Sequence, residues 1–326
     1  MAIHEQLKKI ILDTLPGVEC VIGWGPGQDA LHGSPVFMRK PEDVDSFMDT
    51  PLGAFGAVNN LALFLPELSG KKVGVVVKGC DSRSIVQLVA EKLIKREEVV
   101  IIGFPCEGAA DLTKIEKALP EGREAGEVTG AAIVGETLKL SLGSEEISLG
   151  LADIKADKCT RCKTPGAVIS DAFAGIAGKA PEVRDEYADL AALEAMSLDE
   201  RFKFWEREMS RCIRCYACRN ACPLCVCRDH CVAGSRSPHW ITQTDSTRDK
   251  LMFQIIHATH LAGRCTGCGE CQRACPAGIP VLLLKRTFNR GVAEIFGYDA
   301  GMDTEATPPL LTFQVEEAHI KEREWQ

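Results

Sequence analysis

Two stretches of this chain, CIRCYACRNACP and CTGCGECQRACP, share one spacing, C-x2-C-x2-C-x3-C-P. The first carries Cys212, Cys215, Cys218 and Cys222, and the second Cys265, Cys268, Cys271 and Cys275. Three thiolates on one tight turn can wrap three corners of an iron–sulfur cubane. The fourth, held at a fixed offset by the following proline, reaches the neighbouring cluster. On this pattern Cys212, Cys215, Cys218 and Cys275 are expected to hold one 4Fe–4S cluster, and Cys265, Cys268, Cys271 and Cys222 a second. A single such run can be a zinc site; two complete runs read as paired clusters.

The other cysteines of the 16 fall into three groups. Cys80 and Cys106 each close an apolar, β-branched run (KKVGVVVKGC and EEVVIIGFPC), and Cys159 and Cys162 form a CxxC. Isolated cysteines are often small core hydrophobes, and a lone CxxC can be half a zinc site or a redox dithiol. Here both isolated cysteines end strands and abut turn residues, and the CxxC supplies the two further thiolates of a four-cysteine set. Cys80, Cys106, Cys159 and Cys162 are therefore candidates for a third cluster. Cys225, Cys227 and Cys231 are surplus; with His230 nearby they could hold a further metal or cluster, be completed by a partner's ligand, or serve as alternates for Cys222. Cys20, in VECVIG, reads as a core cysteine.

These residues need two kinds of scaffold. Strand–helix–strand punctuation from Lys71 to Cys106 predicts a mainly parallel sheet, whose strand C-termini open onto the crevice where α/β proteins bind ligands. The helix between the strands is expected to be capped by Asp81 or Ser82 and to carry Ile85, Leu88, Val89, Leu93 and Ile94 at helical spacing. LKLSLGSEEISLG reads as a hairpin, GWGPGQ as a plain loop rather than a dinucleotide fingerprint, and the N-terminal residues as an amphipathic helix. The second half is helical. A capping box from Ser197 to Glu200 precedes an apolar face with Phe202 and Trp205. The segment 246–263 is a helix with Leu251, Met252, Ile255, Ile256 and His260 on or near one face, where His257 and His260 read as surface or packing residues. VLLLKRTFNRGVAEIFG is another helix. The fold class is thus an α/β domain over 1–180, followed by an α-helical ferredoxin-like dicluster domain over 181–326.

A net charge of −8, with no basic arm, argues against a nucleic-acid partner. The apolar runs are too short to span a bilayer, and the N-terminus lacks the features of a signal peptide, so a cytoplasmic location is expected. Arg211, Arg214, Arg219, Arg264 and Arg273 flank the motifs, where they can raise cluster potentials, meet an acidic partner, or simply solvate a helix face.

VIGWGPG, VVVKGCDSRS, VVIIGFPCEG and KCTRCKTPGAVISD resemble the iron–sulfur flavoprotein β-subunits of F420-reducing hydrogenase and formate dehydrogenase. The stretch from Arg211 to Cys231, with CTGCGECQRACPAGIP, is similar to the α-helical dicluster module of heterodisulfide reductase and its associates. The resemblance implies that Cys80, Cys106, Cys159 and Cys162 ligate a 4Fe–4S cluster, with FAD beside it. It also implies partners among heterodisulfide-reductase-like, hydrogenase or formate dehydrogenase subunits. The leading expectation is an electron-transfer subunit that relays single electrons between partners. The alternative is a flavin-bearing dehydrogenase subunit that itself oxidises F420H2, NAD(P)H or a reduced carrier. A redox-sensing iron–sulfur protein is disfavoured, because the acidic chain shows no nucleic-acid-binding segment.

Overall fold

The computed structural model describes residues 2–48, 52–176, 178, 185–227, 231–234, 240–242 and 244–313. Helix α1 (Ile3–Thr14) buries Leu7 and Ile11 against a five-stranded sheet, as its amphipathic pattern requires. That sheet runs β2 (Gly33–Met38), β1 (Val21–Pro26), β3 (Val73–Val77), β4 (Val99–Gly103), β8 (Ala172–Phe173), and only the β1–β2 pair is antiparallel. Every residue of β3 is buried, which is why its VGVVV run lacks alternation: both faces of the parallel sheet are covered. Cys20 is fully buried in this core.

Between β3 and β4 lies α2 (Gly79–Ala90). It starts two residues before the expected cap. Lys78 occupies the N-cap, and Asp81 turns back to accept the Lys78 backbone N–H at 2.9 Å. Cys80 therefore sits in the first turn of a helix, and Leu93 and Ile94 lie beyond its end. GWGPGQ also departs from the expected loop, since Gly23 to Pro26 belong to β1.

After α3 (Leu112–Ala118), strands β5 (Gly130–Val134), β6 (Thr137–Leu142) and β7 (Glu145–Gly150) form a separate antiparallel sheet. Its β6–β7 pair is the expected hairpin. Leu138, Leu140 and Leu142 alternate inward onto Ile115 in a core of their own. Two single-turn helices follow, α4 (Leu151–Ile154) and α5 (Asp157–Thr160), and α5 delivers the CxxC.

The second half carries helices and no strand among its described residues. It comprises α6 (Ala191–Glu194), α7 (Leu198–Ser210), α8 (Ala217–Asn220), α9 (Thr247–His260), α10 (Glu270–Arg273) and α11 (Val281–Phe296). The Ser197–Glu200 capping box forms in both directions: Ser197 Oγ accepts the Glu200 N–H, and the Glu200 carboxylate accepts the Ser197 N–H at 2.8 Å. Two faces differ from expectation. Phe202 is exposed while Trp205 is buried, and α9 buries Phe253, Gln254 and His257 while Met252 and Ile255 face out. The inner face of α9 borders thiols, so it carries polar groups that apolar periodicity cannot find. The expected domain boundary between residues 180 and 181 lies outside the described residues.

Helix α2 joins the two halves. The Arg83 guanidinium donates to the Ala300 carbonyl at 2.7 Å, Ser84 pairs with Thr266, and Gln87 accepts from Tyr298 and Gly301. Glu91 accepts from Arg264. Its opposite end is closed by backbone: a Cβ on Gly79 would stand 1.7 Å from the Thr164 carbonyl oxygen, just after the CxxC. Gly79→Ala must push this loop away. The expected cost is about 1–3 kcal/mol, seen as a lower thermal midpoint; an unchanged midpoint would refute the close approach.

Candidate metal centres

Each ligand group of the dicluster segment is assembled across two runs. Cys212, Cys215, Cys218 and Cys275 line one small cavity of about 20 Å³. Cys222 lies instead among Cys265, Cys268 and Cys271: burial first, then the charges of these neighbours, push its thiol well above the usual range. The exchange of the fourth cysteine is therefore present in the geometry.

The two turns that carry three cysteines apiece share an unusual backbone. Gly267 and Gly269 take the left-handed region, with φ of 70° and 76°, and Arg214 and Tyr216 occupy the same offsets of the first turn at 51° and 62°. Non-glycine residues there cost on the order of 1 kcal/mol each. The result is a set of donors turned toward sulfur. The Arg214 N–H donates to Cys212 Sγ at 3.4 Å, the Ile279 N–H to Cys275 Sγ at 3.5 Å, and Gln254 Nε2 to Cys218 Sγ at 3.5 Å. Helices α8 and α10 then follow the turns symmetrically.

The cations that meet these thiols are not the ones the flanking arginines suggested. Arg211 pairs with Glu208, Arg264 with Glu91 and Arg273 with Glu270; Arg214 donates to the Thr242 and Thr244 carbonyls, and Arg219 to that of Cys227. Lys285, on α11, is 2% exposed, and its Nζ has no hydrogen-bond partner among the described residues. Burial alone would lower its pKa, but the charges of Cys271, Cys222, Cys265 and Cys218 outweigh burial and raise it. These four come from both ligand groups, so Lys285 stands between them. The signal was a lone charge at helical spacing with buried Val281 and Leu282.

Cys80, Cys106, Cys159 and Cys162 line a third, larger cavity of about 490 Å³ at the C-terminal edge of the sheet. Burial, then Asp81, pushes the Cys80 thiol well up; burial raises Cys106 too, with Cys159 adding to it. Lys158 was also missed from the sequence, although it precedes Cys159 directly. Burial opposes its charge, yet Cys80, Glu270, Cys268 and Cys159 outweigh burial and raise its pKa. Its Nζ donates to the Cys268 carbonyl oxygen, so one ammonium links the first-domain thiols to the second dicluster group. Cys268 itself, buried and beside Glu270, is pushed up to about 12.

Of the surplus residues, Cys225, Cys227 and Cys231 line one further cavity with His257 and His260. His260 is exposed. His257 is buried, and burial, with the charges of Lys285, Arg219 and His260, pushes its pKa down to about 2. His230 lies outside the described residues.

The donor sets suit an anionic iron–sulfur cluster: grouped thiols, N–H donors aimed at sulfur, and buried unpaired ammonium charge. Residues 208–279 match the family described as the 4Fe-4S dicluster domain, which defines this half of the chain as an iron–sulfur dicluster module. Along nearly its whole length the chain is similar to the F420-dependent formate dehydrogenase subunit beta of Methanocaldococcus jannaschii, at 24% identity over 91% of this chain and 90% of the relative. It is likewise similar to the F420-dependent formate dehydrogenase 1 subunit beta of Methanococcus maripaludis, at 23% identity over 90% and 89%. A looser match, at a TM-score of 0.38 and 14% identity, covers 65% of this chain and 89% of a chain from the F420-reducing NiFe hydrogenase complex of Methanosarcina barkeri. Over nearly its whole length the chain is thus similar to formate dehydrogenase beta subunits, and within it residues 208–279 match the 4Fe-4S dicluster domain. Among the described residues no helix is long and apolar enough to cross a membrane.

Because a positive charge favours the reduced form of a cluster, Lys285→Met should lower the midpoint potentials of both dicluster centres. A tenfold change in each reduction equilibrium, about 59 mV for one electron, is expected in an EPR-monitored titration. A shift in only one centre would move Lys285 away from the position between them.

Proposed function

We propose that this protein is an iron–sulfur electron-transfer subunit of an oxidoreductase complex, relaying single electrons between partner subunits. The observation that carries this reading is the continuity of the three thiol groups, with Lys158 linking the first-domain group to Cys268 and Lys285 standing between the other two. When bound, a 4Fe–4S cluster supplies one-electron redox chemistry. The chain's own residues hold and tune it. Cys80, Cys106, Cys159 and Cys162 hold one cluster; Cys212, Cys215, Cys218 and Cys275 hold a second; Cys265, Cys268, Cys271 and Cys222 hold a third. The N–H groups of Arg214 and Ile279 and the Gln254 amide donate to sulfur, and the two lysines supply positive charge in a water-poor interior. The similarity to formate dehydrogenase beta subunits supports partners of formate dehydrogenase type; hydrogenase or heterodisulfide-reductase-like partners are the wider form of the same proposal.

A second reading is favoured by one feature. The cavity beside Cys80 lies within the 300–1,000 Å³ range of cofactor pockets, and Lys78, Arg83, Arg161, Lys163 and Arg286 line it. Part of that charge is met by Glu186, Asp189 and Asp299. Such a cavity suits a flavin dinucleotide, and with FAD in place the subunit would itself take electrons from F420H2, NAD(P)H or a reduced carrier.

Anaerobic purification followed by iron and sulfide counting separates these readings. Cys80→Ser should lose one cluster's iron and keep both dicluster EPR signals; retention of all iron would remove the first-domain site. A flavin absorbance band that bleaches with one of these donors would establish the second reading over the pure relay.

A further inference from the structure

Besides Cys20 in the sheet core, three thiols remain after the three ligand groups are filled, and they are not scattered. Cys225, Cys227 and Cys231 line a single cavity of about 160 Å³ with Arg219, His257 and Arg264. Cys225 feels the charges of both Cys227 and Cys231. The inner wall is His257, 3% exposed, and neither ring nitrogen has a hydrogen-bond partner among the described residues. A buried polar group left unpaired loses the hydrogen bonds it had in water, so an imidazole with no partner among the described residues, beside three thiols, points to a ligand. Arg219 repeats the signal: its Nη2 donates to the Cys227 carbonyl at 3.1 Å, while its buried Nε has no partner among the described residues.

We infer that Cys225, Cys227, Cys231 and His257 hold a fourth iron–sulfur cluster, of the 4Fe–4S type, beside the dicluster pair. The inference rests on the cluster-carrying reading above for the identity of the group, and on this cavity for its place. A single tetrahedral ion, with bonds of about 2.0–2.3 Å to nitrogen and sulfur, needs its donors drawn onto one point. No three His, Cys, Asp or Glu side chains among the described residues are so placed. The open space of about 160 Å³ leaves room for an inorganic core rather than a lone ion. Arg219, whose charge acts on the Cys225 thiol, brings positive charge to the site, while Arg264 is paired with Glu91.

The location gives the site a use. Phe253 lines both this cavity and that of the Cys212 group, and His257 stacks on it with ring centroids 5.8 Å apart. Cys227, at the far side, is exposed. A cluster here stands between the first dicluster group and the molecular surface, where electrons enter from or leave to a partner.

The test uses the full-length chain, purified anaerobically, with iron, sulfide and zinc counted and the reduced protein followed by EPR in a redox titration. Wild type is expected to hold one cluster more than the three assigned above. The double variant Cys227→Ser/Cys231→Ser should lose that cluster's iron and sulfide and keep the other signals. His257→Cys should keep all the iron and lower the potential of one centre only, because a thiolate replaces a neutral imidazole. The inference is overturned if the double variant retains all its iron, if it loses zinc instead, or if His257→Cys leaves every signal and potential unchanged. Cys80→Ser reads a different group, so failure there and failure here are distinguishable.

Discussion

A thiolate taken out of water must be met by positive charge or by hydrogen-bond donors. This chain places all but two of its cysteines, Cys215 and Cys227, in buried or half-buried positions. Burial drives the thiols of Cys80, Cys222 and Cys268 above their ordinary range, so iron, together with a few protein donors, must supply the compensation. The structure is arranged around that demand. Left-handed turns aim amides at sulfur, Lys285 has no hydrogen-bond partner among the described residues and stands among thiols of two groups, and Lys158 faces thiols of both halves.

The same demand explains the polarity of α2. A helix between two buried parallel strands would ordinarily be apolar on its sheet side and polar outside. Here Asp81, Ser82, Ser84 and Gln87 are all buried, because both sides of the helix are covered. Their partners are specific: Lys78, the Val168 N–H, Thr266 and Tyr298. Leu224 and Leu261 of the helical half pack into the core of the sheet as well. The ends of the strands, the CxxC loop and the second cysteine run are thereby held against one another.

Much of this was legible from residue types and spacing. The two repeated runs predicted that each fourth cysteine would sit with the other run, and Cys222 stands beside Cys265, Cys268 and Cys271 while Cys275 shares a cavity with Cys212, Cys215 and Cys218. Strand ends and turn residues predicted that Cys80 and Cys106 would meet the CxxC. The failures share a cause. The α2 cap was sought in Asp81 or Ser82, whose side chains turn back within a helix already begun. The inner face of α9 was sought by apolar periodicity, although it borders thiols and so carries Gln254 and His257. The arginines beside the motifs drew notice because they are adjacent in sequence. Lys158 adjoins Cys159 in sequence yet also reaches Cys268, and Lys285 meets thiols of both runs from a later helix, contacts that only the fold provides.

The exchanged fourth cysteines bear on how the protein is made. Neither run can complete a four-thiol group until the chain between them has folded and brought the other into place. A maturation machine that delivers preformed clusters therefore meets an interlocked receiver. On the proposed ligand assignment, filling either site requires both runs to be in place at once. Half-loaded molecules would leave an open corner of one site exposed to oxygen, which ties the protein's lifetime in air to the completeness of its assembly.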